Sequence, residues 1–145
     1  MFKAPRVGAF FVWAKLLYRG NRKIEKHQNM HRINSHLMGI DQGDIQLFSH
    51  FENDGPMWVG NGAREARKKL RFSEKFQTIP VVKIGFSMWD VDQSTNARME
   101  IVAENITKSG FEAVFKTWSD TRVARVRASW IAIGELPDDE NWDLY

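Results

Sequence analysis

The chain has 145 residues, enough for one domain with a substantial core. Hydrophobic residues make up 43% of it and charged residues 27%, the balance of a folded globular chain, and it has no cysteine, which excludes disulfides and thiolate metal sites. The formal net charge of +3 is unevenly spread: residues 1–30 hold seven bases against one acid, and the last eleven residues hold five acids and no base.

Residues 1–35 read as a basic N-terminal arm, suited to an anionic docking partner for residues 1–30. Within it, the run Gly8–Ala14 is apolar but short, Lys15 interrupts it, and no small-residue cleavage site follows. A secretory leader is therefore not expected, and the run is too short to span a bilayer. The arm has two readings that stay open: a basic amphipathic docking segment, or an extra element covering an edge of the domain.

Residues 36–136 read as the folded body. Gly39 and Gly43 are expected to break the first stretch into turns, with a first strand over Asp44–Phe51. The segment ENDGPMWVGNG, residues 52–62, is a polar, glycine-rich loop that carries Trp58 and suits a corner or binding loop. Its glycines are not a phosphate cradle, because no Lys-Ser or Lys-Thr follows them. Arg64–Arg71 holds five bases and reads as nucleic-acid contact or, more simply, as a charged exposed strand or turn. The acidic tail, residues 137–145, argues against nucleic acid as a partner. No histidine has the companions a metal site needs, and Asp90 and Asp92 lack the later acidic ligand of a calcium loop.

Alternation then dominates. Lys69–Phe76 alternates around Leu70 and Phe72, and Pro80 opens a strand over Val81–Met88, where proline is tolerated. Trp89–Asn96 reads as a polar loop, and Arg98–Asn105 alternates again. The clearest stretch is Gly110–Gly134: Phe111, Ala113 and Phe115 mark one strand, and Ala124, Val126, Ala128, Trp130 and Ala132 mark the next. Between them, Trp118-Ser119-Asp120-Thr121 sets an indole, a hydroxyl and a carboxylate at one sheet edge. An indole can stack on the C–H face of a sugar while the polar groups take its hydroxyls. About six short strands with turns between them predict an all-β fold, a six-stranded antiparallel β-sandwich with an N-terminal extension.

From Pro80 onward, the spaced set Asp90, Asn96-Ala97-Arg98, Gly110-Phe111, Thr117-Trp118, Asp120-Thr121 and Ser129-Trp130-Ile131 resembles the H-type lectin domain. The resemblance implies a six-stranded sandwich, assembly as a homotrimer or stacked hexamer, and binding of galactose or N-acetylgalactosamine between subunits. The sequence offers no Ser-His-Asp set, no metal cluster and no convincing carboxylate pair, so neither a cofactor nor enzymatic activity is expected. Carried over by motif, the carbohydrate-binding residues are Arg98, Trp118 and Ser119, with Asn61 and Gly62 from the glycine-rich loop. Ser119 stands where the family uses histidine, Asn61 or Gly62 where it uses a carboxylate, and Ala124 where it uses a tyrosine. Each departure should weaken binding of the family's sugar, because hydroxyls would go unpaired.

Simpler readings stand beside these. Arg98 also suits a salt bridge at a trimer interface, and Trp118 an edge packing role. The two uses left are a lectin recognising cell-surface glycans and a structural or attachment component of a larger particle, such as a phage-like appendage docked by the arm. Both imply an extracellular, cell-surface or particle-associated protein.

Overall fold

The computed structural model describes residues 30–34 and 36–138. The chain divides into two units, Met1–Met30 and His31–Tyr145. The basic arm up to residue 29 and the acidic tail beyond residue 138, both expected from the sequence, fall outside the described residues. Within the second unit the elements are β1 (Met38–Ser49), a four-residue helix α1 (Pro56–Val59), β2 (Arg64–Arg71), β3 (Val81–Val91), β4 (Met99–Glu104), β5 (Gly110–Thr117) and β6 (Val123–Glu135).

The strands form two three-stranded sheets, β1-β6-β3 and β2-β5-β4, with every pairing antiparallel. The six-stranded antiparallel sandwich expected from the alternation is the fold. Each sheet presents its apolar positions to the other. Phe72, Phe76, Ile84, Phe111, Ala113, Ala128 and Ala132 fill one half of the core, and Phe48, Met57, Phe115, Val123 and Val126 fill the other. Rings pack edge to face within it: Phe115 meets Phe48 at 5.1 Å, and Trp130 meets Phe111 at 5.4 Å.

The first strand differs from the sequence expectation. It begins at Met38 and runs straight through Gly39 and Gly43. Gly43 lies opposite Trp130 in the register, and a Cβ there would come within 3.1 Å of the indole. The glycine makes room for a ring and marks no turn. Three other boundaries shift. β3 continues past Met88 to Val91, β2 begins at Arg64, and Phe72 and Phe76 fold inward after β2 has ended. The loop 52–62 contains the short helix α1, which drives Met57 into the core.

Val114 also breaks the simple two-face pattern. It points to the outer face of β2-β5-β4, yet it is fully buried. Arg67 and Val102 flank it across the sheet. The Arg67 guanidinium is held by Glu65, Glu104 and Glu112, so its aliphatic stem roofs the valine.

Candidate functional site

The loops at one end of the sandwich are wired together by Arg64, the first residue of β2. Its Nε donates to the Gly62 carbonyl at 3.1 Å, and its Nη1 to the carbonyls of Gly60 (2.9 Å), Met57 (3.2 Å) and Pro56 (3.3 Å). Its Nη2 donates to the carbonyls of Thr121 (2.5 Å) and Ser119 (3.4 Å). The fork geometry of a guanidinium suits such a task, since a single ammonium has no comparable spread of donors. Burial pulls the Arg64 pKa down from its ordinary value. The Gly62 N–H also donates to the Ser119 carbonyl at 2.9 Å. Ser119 adopts a left-handed conformation with φ of 62°, and Gly62 has φ of 79°.

A second knot sits beside the first. Thr121 is fully buried; its hydroxyl donates to the Asn96 carbonyl at 2.6 Å and accepts from the Arg98 N–H at 3.1 Å. The Thr117 hydroxyl donates to the Arg98 carbonyl at 2.7 Å. With its backbone pinned on both sides, Arg98 directs Nη1 to Asp120 Oδ1 at 2.6 Å, and Asn96 donates to Asp120 Oδ2 at 3.2 Å. Burial pushes the Asp120 pKa up, but hydrogen bonds from its own backbone N–H and from Asn96, with the Arg98 charge, outweigh it and hold the carboxyl below its ordinary value.

The structure thus brings the five residues expected from the sequence to one rim. Arg98 lies just before β4, not within a strand, and Trp118 just after β5; Met99 pairs with Thr117, so the two sit side by side across the ladder. The Trp118 side chain is 44% exposed and borders a cleft of about 310 Å³ with Glu65, Glu100 and Lys116. Of the five, only Trp118 lines that cleft: Arg98, Ser119, Asn61 and Gly62 do not, and the Arg98 guanidinium turns to Asp120 instead. Ser119 follows the indole, and its hydroxyl makes no hydrogen bond among the described residues. The Asn61 side-chain oxygen accepts from the Gly62 N–H at 2.6 Å, so the loop spends one of its polar atoms on itself.

Sequence reasoning missed two positions that build this rim. Asp120 was legible as a carboxylate at the edge, but its pairing with Arg98 was not. Arg64 looked like one base among five. Of the other four, the structure spends three internally: Arg67 on three glutamates, Lys69 beside Glu112, and Lys68 on the Gln46 carbonyl. Asp90 pairs with Arg125 across β3 and β6 at 2.9 Å.

An antiparallel sandwich that carries an exposed indole, a guanidinium and a carboxylate at one loop rim has the architecture of a lectin-type binding domain. Comparison with known proteins agrees. The profile of the H-type lectin domain matches residues 67–133. A protein of Fuscovulum blasticum described as ATP synthase subunits region ORF 7 is 56% identical over 107 residues, which is 74% of this chain and 93% of that protein. A discoidin-1 chain of Dictyostelium discoideum is 38% identical over 75 residues, 51% of this chain and 30% of its own length. Discoidin-2 of the same organism is 31% identical over 95 residues, 65% of this chain and 35% of its own length. The chain therefore spans about a third of the discoidins it matches. The solved structure of recombinant discoidin II from Dictyostelium discoideum superposes with a TM-score of 0.59 at 23% identity, over 76% of this chain and 41% of that one. Residues 67–133 therefore belong to the H-type lectin domain family. Membership supports a carbohydrate-binding role. Among the described residues no helix is long and apolar enough to cross a membrane.

Proposed function

We propose that the domain is a non-enzymatic lectin and that the rim built from Arg98, Trp118, Ser119, Asn61 and Gly62, with Asp120, takes a galactose- or N-acetylgalactosamine-type residue of a cell-surface glycan. The observation that carries this is the pairing of an exposed indole with a rigidly held Arg98–Asp120 pair on one rim. Trp118 offers a plane for the sugar's C–H face. Arg98 donates to ring or hydroxyl oxygens, and Asp120 accepts from hydroxyls, standing in for the loop carboxylate that Asn61 and Gly62 do not supply. Galactosides displayed on a glycan array should hold the wild-type protein. Arg98→Ala should bind at least about tenfold more weakly, the loss expected of a hydrogen bond to a charged group. Equal retention of both proteins on every glycan would overturn the site.

Sugar sites this shallow gain from multivalency, which a trimer provides. Support for self-association comes from the outer face of β1-β6-β3. Ile40, Ile133 and Val81 form one cross-strand row there, with Ile40 67% exposed and Val81 46% exposed. Lys83 and Glu135 lie on opposite flanks of the row, so an axis through it sets one copy's cation against another's anion. Ile40→Asp should convert the assembly to monomer in sedimentation analysis; an unchanged sedimentation coefficient counts against this face. The charge of residues 1–30 favours a second use, attachment to a larger particle through that segment, with the lectin outermost. Deleting residues 1–30 should then release the protein from its particle and leave sugar binding intact.

A further inference from the structure

A second cleft opens at the same end of the sandwich but on the other sheet, and it shares no lining residue with the cleft at Trp118. Its volume is about 400 Å³, room for one or two sugar rings. Its floor is a registered row across three strands: Ser49 on β1, Arg125 on β6 and Asp90 on β3. Two nitrogens of Arg125, Nε at 3.2 Å and Nη2 at 2.9 Å, donate to the same oxygen, Asp90 Oδ2. Among the described residues Asp90 Oδ1, Arg125 Nη1 and the Ser49 hydroxyl make no hydrogen bond. An acceptor, a donor and a group that can be either are thus left unspent in one line, held rigid by the ladder and the ion pair.

The wall above this floor is aromatic. Phe51 is 56% exposed and meets Trp58 edge to face at 5.1 Å. Trp58 is in turn fixed from beyond the cleft. The Arg122 guanidinium lies over its ring at 4.5 Å and donates to its carbonyl at 3.0 Å, and Arg122 is itself anchored to Asp92 at 3.2 Å. One face of the indole is occupied, so Phe51 is the free plane.

We infer that this cleft is a second carbohydrate site, with Phe51 stacking on the sugar and Ser49, Asp90 and Arg125 taking its hydroxyls. Its charge selects the ligand class. Arg125 and Asp90 cancel, and Glu52 on the lip leaves a small negative balance, so a neutral hexose fits where a sialylated or sulfated sugar is repelled. Each protomer then contacts a glycan at two places on one end. The sugar class rests on the lectin reading above; the cleft and its polar row do not.

Titration with the methyl glycosides of galactose, N-acetylgalactosamine, glucose, mannose and fucose tests this, read on the indole N–H resonances of Trp58 and Trp118 in the full-length protein. At least one glycoside should shift the Trp58 resonance. The double variant Phe51→Ala, Asp90→Asn should weaken that response about tenfold or more and leave the Trp118 response unchanged. Phe51 is exposed and Asn keeps the shape of Asp90, so the fold should survive, which a circular dichroism spectrum checks. A Trp58 resonance that stays fixed while Trp118 responds overturns the second site alone. A response at Trp58 without one at Trp118 supports it and sinks the Arg98 rim. Silence at both overturns both.

Discussion

Replacing Arg64 tests whether the rim is wired as described. Arg64→Ala removes six donor contacts to carbonyl oxygens of two loops. The carbonyls are partly exposed, so water recovers much of each bond, and only the three shortest contacts, to Thr121, Gly60 and Gly62, should count fully. At a net value of about 1 kcal/mol each, the loss is about 2–3 kcal/mol. For a domain of this size that lowers the melting temperature by about 10–20 °C. Arg64→Lys separates charge from geometry. An ammonium keeps the charge but cannot reach carbonyls on both loops, so it should recover less than half the loss. Sugar affinity should fall in both variants although Arg64 touches no sugar in the proposed site, because the Ser119–Thr121 turn that carries Asp120 loses its anchor. A melt of Arg64→Ala within about 2 °C of wild type, or an Arg64→Lys protein indistinguishable from wild type, would refute the reasoning.

Trp118→Ala should leave stability within about 1 kcal/mol of wild type, because the ring is half in solvent, while abolishing retention on galactosides. Phe115→Ala should cost about 3–5 kcal/mol in urea unfolding, since the ring is fully buried between Phe48 and Phe86. Ser119→Gly removes the cost of a side chain at φ of 62°, about 1 kcal/mol, and should raise the melting temperature; a simultaneous fall in affinity would assign the serine hydroxyl to the sugar. The pH dependence has two edges. Asp92, Glu104, Glu112 and Asp120 all have pKa values lowered in the fold from ordinary values of 3.8 or 4.5, so their contribution is complete above about 4.5 and lost as pH falls through the lowered values. Lys116 is raised by Glu104 from 10.5, so its contribution is complete below that and lost as pH rises through the raised value. Thermal melts should therefore show a plateau between these limits, and a maximum confined to a narrow band near neutrality would contradict it.

The sandwich was legible because five of its strands put apolar side chains on one face with period two, and Phe111 to Phe115 and Ala124 to Ala132 carry that pattern plainly. The N-terminal half of β1 was not, because glycine reads as a turn unless one knows what stands over it. Trp130, far along the chain on β6, is what stands over Gly43. Val114 misleads in the opposite direction: its burial depends on a roof of Arg67 and three glutamates that no local window contains. At the rim, residue types were visible and pairings were not. A sequence shows Arg98 and Asp120 as separate charges, and only the turn between β5 and β6 sets them 2.6 Å apart.

The rim also shows how a sandwich can vary its ligand without changing its fold. The groups that fix the loops, Arg64, Thr117 and Thr121, act almost wholly on backbone atoms, and backbone carbonyls are the same whatever side chains follow. Trp118, Ser119, Asp120 and Asn61 project from that frame and carry little of the stability. A change among them should alter sugar choice at small cost in folding, whereas a change at Arg64 or Thr121 should disturb every side chain on the rim together. Stability and recognition are thus borne by different residues of the same two loops, and a scan of substitutions across 60–64 and 117–122 should resolve into two groups. One would shift melting temperature and all affinities in step, the other would redistribute affinities among sugars with much smaller changes in melting temperature.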